Sequence, residues 1–176
     1  MPTKLPIALV EHPSDTKVLD TFARLEANGA RPVNIHRTVA QSPAIFEKFV
    51  AFAWSLRLES ELKPAERELA IVRVLELSRG EYELKHHRRM AGAAGLSREK
   101  IAALSSKSVD LNLFDAREAA ILKMVDAFAS GDGIDDATQG DLKTMFSDRQ
   151  IVELGLTLAL YFGLAHFTNL LDVPVD

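Results

Sequence analysis

The chain of 176 residues contains no cysteine. Disulfides, thiolate metal sites, thiol nucleophiles and CxxC redox chemistry are therefore excluded, because each needs a sulfur the protein does not have. It also lacks a basic excess. Lys and Arg number 21 against 25 Asp and Glu, a formal net charge of −4 with a pI near 5.8. No overall positive field is present of the kind that non-specific nucleic-acid binding requires, so nucleic acid is not an expected partner. No stretch shows the strict apolar–polar alternation of a half-buried strand. The most apolar run, Leu154 to Phe167, falls short of the roughly 20 residues a bilayer-spanning helix needs, and His166 and Asn169 close it, so no membrane span is expected. The opening, Met1 to Val10, carries Pro2 and Pro6 and has neither the apolar stretch nor the cleavage pattern of a signal peptide. A cytoplasmic address follows as the expectation.

What is present is helical patterning in a chain with 47% hydrophobic and 26% charged residues, enough for a real core and short enough to be a single domain over 1–176. The fold class is all-α, a compact bundle of about seven or eight helices. Ser14 or Asp15 caps a first helix with Val18, Leu19, Phe22 and Leu25 at helical spacing, stopped near Asn28-Gly29; Arg31-Pro32 belongs to a connection. Ser42-Pro43 opens a second helix that runs to about Ser60. A third spans Pro64 to about Ser78, and Arg79-Gly80 separates it from a fourth over Glu81–Ala94. A short helix follows Ser97, another follows Asp115, and a third covers Asp135–Met145. The last follows Ser147, with Ile151, Leu154, Leu158, Tyr161 and Phe162 making a surface broader than one core contact needs. Such a helix must be buried in the core or against another subunit, which points to a homo-oligomer. A faint internal echo relates the start of the third helix, Ala65 to Ile71, to Asp115 to Ile121.

One residue of the third helix is out of place. Glu68 shares its face with Ile71, Val72 and Leu75, at spacings of three, four and seven. A carboxylate aimed at apolar neighbours needs a partner, or its proton affinity rises. The fourth helix offers His87, on a stripe with Leu84, Ala91 and Ala94, and Glu83 stands one turn earlier. Two carboxylates and an imidazole facing an apolar pocket form a candidate proton relay. The same spacing also fits a buried Glu–His hydrogen bond that only locks two helices together. It lacks the two-His helical pair of zinc motifs, so no metal is expected. Tyr82 and Trp54 are candidate pocket walls, and Arg73 and His166 candidate groups for binding a substrate's negative charge. His86 points away from His87 toward solvent, and Lys85, Arg88 and Arg89 read as a solvated charged face.

The run Arg67 to Val74, then Glu81-Tyr82-Glu83-Leu84-Lys85-His86-His87, then Ala94-Gly95-Leu96-Ser97, resembles the central signature of the carboxymuconolactone decarboxylase and alkylhydroperoxidase D superfamily. Pro32 to Ile35, Ser42-Pro43 and Phe114 to Glu118 extend the likeness to roughly Gly29–Val173. In the peroxidase branch a glutamate precedes a CxxC pair, followed by a histidine. The resemblance places Glu68 on that glutamate, His87 on that histidine, and Gly80 and Glu83 on the two cysteines. It thereby implies loss of the peroxide-reducing dithiol and retention of the proton-relay pair. The chain is similar to the cysteine-free EYEW-type branch, with Leu84 where that branch has tryptophan. The resemblance further implies a helical bundle that assembles as a trimer or hexamer.

The Glu68–His87 pairing taken with this resemblance implies an enzyme acting without a cofactor on a small anionic substrate, carboxylated or lactone-like, by decarboxylation or proton transfer. His87 would be the acid/base, Glu68 would orient it, and Glu83 would share the relay. The alternative is a non-catalytic ligand-binding or structural homologue that lost its chemistry with its cysteines. Peroxide reduction by this chain alone is not expected.

Overall fold

The computed structural model describes residues 3–176; Pro2, used above against a signal peptide, lies outside them. Among the described residues every regular element is helical. In chain order they are α1 (Thr16–Ala27), α2 (Asn34–Val39), α3 (Pro43–Leu58), α4 (Pro64–Ser78), α5 (Glu81–Ala93), α6 (Arg98–Ala103), α7 (Ala116–Ser130), α8 (Asp136–Met145) and α9 (Asp148–Leu170), with one 3-10 turn at Leu111–Leu113. The expected all-α class is found, with one helix more than the expected seven or eight. The addition is α2, in the stretch after Arg31-Pro32. Six residues are too few to display an apolar period, although Ile35 and Thr38 are both buried, one turn apart.

Side-chain caps fix several boundaries. Asp15 accepts from the Lys17 N–H at 2.8 Å, and Ser97 from the Lys100 N–H at 3.1 Å. Asp115 and Glu118 cap each other's backbone reciprocally, each bond 2.9 Å long, and Gly131 ends α7 in the left-handed region at φ 76°. Each such cap contributes on the order of 1 kcal/mol.

The chain clusters into two compact units, one of residues 1–58 with 167–176, the other of residues 59–166. In the first, α3 packs against α1 and α2 around Val18, Phe22, Leu25, Ala40, Phe46 and Val50, with Trp54 against the edge of that cluster. Leu19, grouped above with the buried side of α1, is exposed, and Thr21 takes its place. Residue 19 lies about 100° round the helix from Val18, beyond the stripe that faces α3. The C-terminal tail is tied to its own unit: the Asn34 N–H donates to Asp176 at 2.9 Å, and the Leu5 N–H to the Leu170 carbonyl at 2.8 Å.

In the second unit α4 is the central element, lying against both α5 and α7, and every residue from Glu66 to Leu75 is buried. Leu154 and Leu158 of α9 are fully buried in the same core, and Ile151, Tyr161 and Phe162 pack on its edge. At 23 residues, with an 18-residue window of mean hydropathy 1.5, α9 is long and apolar enough by length and composition to cross a membrane. It exceeds the run Leu154 to Phe167 read from sequence because Asp148 to Glu153 and Thr168 to Leu170 continue the helix at both ends. Val152 and Leu156 remain on its exposed side.

Candidate functional site

The site is set by the turn that folds α5 back along α4. Arg79 adopts the left-handed conformation, φ 57° and ψ 42°, and the Gly80 N–H closes back on the Leu75 carbonyl at 2.8 Å. The sequence marks Arg79-Gly80 as a helix breaker, and the structure divides the work unusually. The residue at positive φ is the arginine. Gly80 has an ordinary φ of −78° and is required for space. A Cβ there would lie 2.6 Å from Leu75 Cδ2 and 2.9 Å from Ala165 Cβ.

This turn brings Glu68 and His87 together. They are 2% and 8% exposed, and His87 Nδ1 lies 2.8 Å from Glu68 Oε2. Ile71, Val72 and Leu75, the neighbours on the Glu68 face, are at most 1% exposed, so the carboxylate is embedded in apolar packing as its spacing implied. An ionised carboxylate can only accept a hydrogen bond. Nδ1 of a neutral His87 then carries the hydrogen, and Nε2 is left as the basic nitrogen. Tyr161 of α9 meets the imidazole edge-to-face, with ring centroids 4.7 Å apart at 79°.

Glu83 also turns inward, being 5% exposed. Its Oε2 lies where a Cβ on Gly80 would come within 3.3 Å, so the missing side chain at position 80 makes room for the carboxylate at position 83. Among the described residues, no group of three or more His, Asp or Glu side chains is arranged to hold a metal ion.

The other sequence candidates lie elsewhere. Arg73 is 1% exposed and fully engaged: it donates to both Asp126 oxygens at 2.7 and 3.1 Å, and to the Leu104 and Ser106 carbonyls at 2.8 and 2.7 Å. It fastens α7 and the 104–106 turn to α4 with four of its five donors and has its charge matched by Asp126, so it is not set to meet a substrate's charge. His166 is exposed and stacks edge-to-face on Phe162 at 4.7 Å. Tyr82 is buried beside His86, with ring centroids 6.4 Å apart, so His86 is half-buried where solvent was expected. Trp54 belongs to the first unit, packed on its core. Lys85, Arg88 and Arg89 are exposed, as the solvated-face reading required, and Arg88 pairs with Glu76.

Two residues escaped the sequence reading. Tyr161 was counted as apolar surface, although a hydroxyl in an apolar row calls for a partner. Arg67 is not among the sequence candidates, although its spacing of four and seven to Ile71 and Val74 assigns it to a buried column, and it is only 8% exposed.

Several solved structures share this fold. An uncharacterized peroxidase-related protein from Silicibacter sp. has a TM-score of 0.79 at 19% identity, covering 99% of this chain and 95% of that one. The debrominase Bmp8, bound to 2,3,4-tribromopyrrole, gives 0.77 at 16% identity over 97% and 91% of the two chains. A protein of unknown function from Agrobacterium tumefaciens gives 0.70 at 19% identity over 78% and 94%. At these identities the likeness establishes the helical fold alone. No curated protein matches by sequence. Residues 43–127, from the start of α3 into α7, match the sequence profile of the carboxymuconolactone decarboxylase family.

Proposed function

Because residues 43–127, which hold both Glu68 and His87, belong to the carboxymuconolactone decarboxylase family, we propose that the chain is a cofactor-independent enzyme that decarboxylates, or moves a proton on, a small carboxylated or lactone substrate. The observation that carries this reading is the buried Glu68–His87 pair at 2.8 Å. A carboxylate behind Nδ1 fixes the ring and its tautomer and stabilises the imidazolium once Nε2 has taken a proton. Loss of CO2 from a carboxylate leaves an electron pair on carbon; His87 Nε2–H delivers the proton that quenches it, and solvent then recharges the imidazole. For a lactone the same nitrogen takes a proton from carbon and returns it elsewhere. Glu83, buried one turn before His87 on α5, is the third member of the relay.

The protein acts as a homo-oligomer in this reading. Support comes from α9, whose Val152 and Leu156 are 60% and 42% exposed on the single chain, an apolar side suited to a second copy.

The deciding experiment compares the parent with His87→Ala and Glu68→Gln on a panel of small lactones and carboxylates. Loss of turnover in His87→Ala, with the fold intact by circular dichroism, supports the enzyme. Full turnover without the imidazole would refute the assignment. The competing view, a helix-locking pair in a binding protein, requires that both variants change stability and leave ligand affinity untouched.

A further inference from the structure

Residues 43–127, which match the family profile, hold Glu68 and His87, but one side chain against the pair comes from beyond them. Tyr161 of α9 meets the His87 imidazole edge-to-face, with ring centroids 4.7 Å apart at 79°. A single hydrogen bond does not fix an imidazole. The 2.8 Å bond between Nδ1 and Glu68 Oε2 pins one atom, and the ring can still swing about the line of that bond, carrying Nε2 through an arc. A second contact away from that line stops the swing. Tyr161 supplies it, at a separation inside the roughly 4.5–7 Å over which crossed rings attract one another.

The tyrosine is itself held in place. Leu158 and Ala165, three residues before it and four after, are both 0% exposed, so the three share the stripe of α9 that faces the core. Ala165 is also the residue whose Cβ leaves no room for a side chain on Gly80, at the start of α5. Thus α9 meets α5 at two places, Ala165 against the turn and Tyr161 against His87. Packing alone asks only for an apolar side chain at position 161. A flat ring set near a right angle to the imidazole does more, because it restrains a plane as well as filling space.

We infer that Tyr161 is a positioning residue of the Glu68–His87 pair, its ring holding the imidazole plane so that Nδ1–H stays on Glu68 and Nε2 keeps one direction. The inference rests on the reading of that pair as a proton relay and adds to it a residue of α9. Proton transfer depends on direction, and a misplacement of about 1 Å can cost about 100-fold in rate. Tyr161 acts through the imidazole, so losing its ring lowers kcat and leaves KM.

The test is nitrogen NMR of the full chain isotopically labelled in histidine, with the His87 signals identified by their loss in His87→Gln, joined to steady-state kinetics on the lactone and carboxylate panel. In the parent, neutral His87 should be one tautomer with its hydrogen on Nδ1. Tyr161→Phe keeps the ring and should keep that tautomer, with kcat within about 3-fold of the parent. Tyr161→Leu should average the His87 signals between the two tautomers and lower kcat by about 10- to 100-fold, with KM within about 3-fold. If Tyr161→Leu does not fold, Tyr161→Met, flexible enough to fill the gap, takes its place. A merely structural tyrosine would lower the urea midpoint of Tyr161→Leu and leave the His87 tautomer as in the parent. That result, a parent-like kcat in Tyr161→Leu, or a Tyr161→Phe as impaired as Tyr161→Leu would overturn the inference; the last would assign the effect to the hydroxyl. With no turnover on the panel, the tautomer alone decides. The two readings fail separately. If His87→Ala loses turnover while Tyr161→Leu keeps the parent's tautomer and kcat, only the positioning role falls. If His87→Ala keeps turnover while Tyr161→Leu frees the imidazole, the relay falls and the hold of Tyr161 on His87 stands.

Discussion

Replacing Gly80 with alanine should destabilise the protein, against the usual expectation for a glycine at ordinary backbone angles. With φ −78° and ψ 65°, position 80 accepts any L residue, and removing glycine's freedom from the unfolded chain would by itself stabilise by about 0.4–1 kcal/mol. The obstacle is steric. Carbon atoms pack at about 3.5–4.0 Å, so the new Cβ would be too close by about 0.9 Å to Leu75 Cδ2, at 2.6 Å, and by about 0.6 Å to Ala165 Cβ, at 2.9 Å. The Leu75 methyl could rotate only into a fully packed core, and Ala165 has no rotamer to change; both residues are 0% exposed. One extra methyl in such a place costs about 1–3 kcal/mol, leaving a net loss of about 1–2 kcal/mol after the entropic gain. Urea unfolding of Gly80→Ala, followed by far-ultraviolet circular dichroism, measures the loss. The double variant Gly80→Ala/Ala165→Gly should show a favourable coupling of about 0.5 kcal/mol or more, because it removes one of the two clashes. A Gly80→Ala protein as stable as the parent would refute the packing argument. The same geometry opposes rebuilding a dithiol here: Gly80→Cys/Glu83→Cys needs room for Sγ where Cβ does not fit, and should yield little folded protein by the same unfolding measurement.

Glu68→Gln keeps the shape of the pair and removes its charge, so turnover should fall by about 100-fold or more with little change in KM, and steady-state kinetics on the lactone and carboxylate panel will show whether it does. Arg73→Met should cost about 2–4 kcal/mol, because it strips Asp126 and two carbonyls of their donor; in the folded fraction KM should stay as in the parent, as measured by urea unfolding and steady-state kinetics. Burial pushes His36 down from 6.5 to about 4, partly offset by Asp176, and its Nδ1 accepts from the Val33 N–H at 3.2 Å. The unfolded chain therefore binds the proton first. Stability from this group is complete above pH 6.5 and is lost as pH falls toward 4, a total of about 3 kcal/mol. Denaturation midpoints between pH 7 and pH 4 should fall less steeply in His36→Gln, which has no proton to gain.

The sequence by itself determined the helical class, most helix limits, and the impossibility of thiol chemistry, because these rest on local periodicity, caps and atomic composition. It also singled out the pairing of Glu68 with His87: a carboxylate at spacings of three, four and seven from Ile71, Val72 and Leu75 must be buried, and buried charge needs a partner. Helix α2 escaped because six residues span less than two turns, too few for a period to register. What only the tertiary structure decided is how each cation is used. Arg67, Arg73 and Arg117 look alike along the chain, yet Arg73 is consumed by Asp126 and two carbonyls, Arg117 by Glu66, and Arg67 by no described residue. Their partners lie about 30 to 50 residues away or are absent, and helical spacing carries no record of them. The role of Gly80 was likewise hidden. Its sequence context suggests a backbone conformation, while the true constraint is the Cβ of Ala165, 85 residues further on, brought within contact only when α9 is packed.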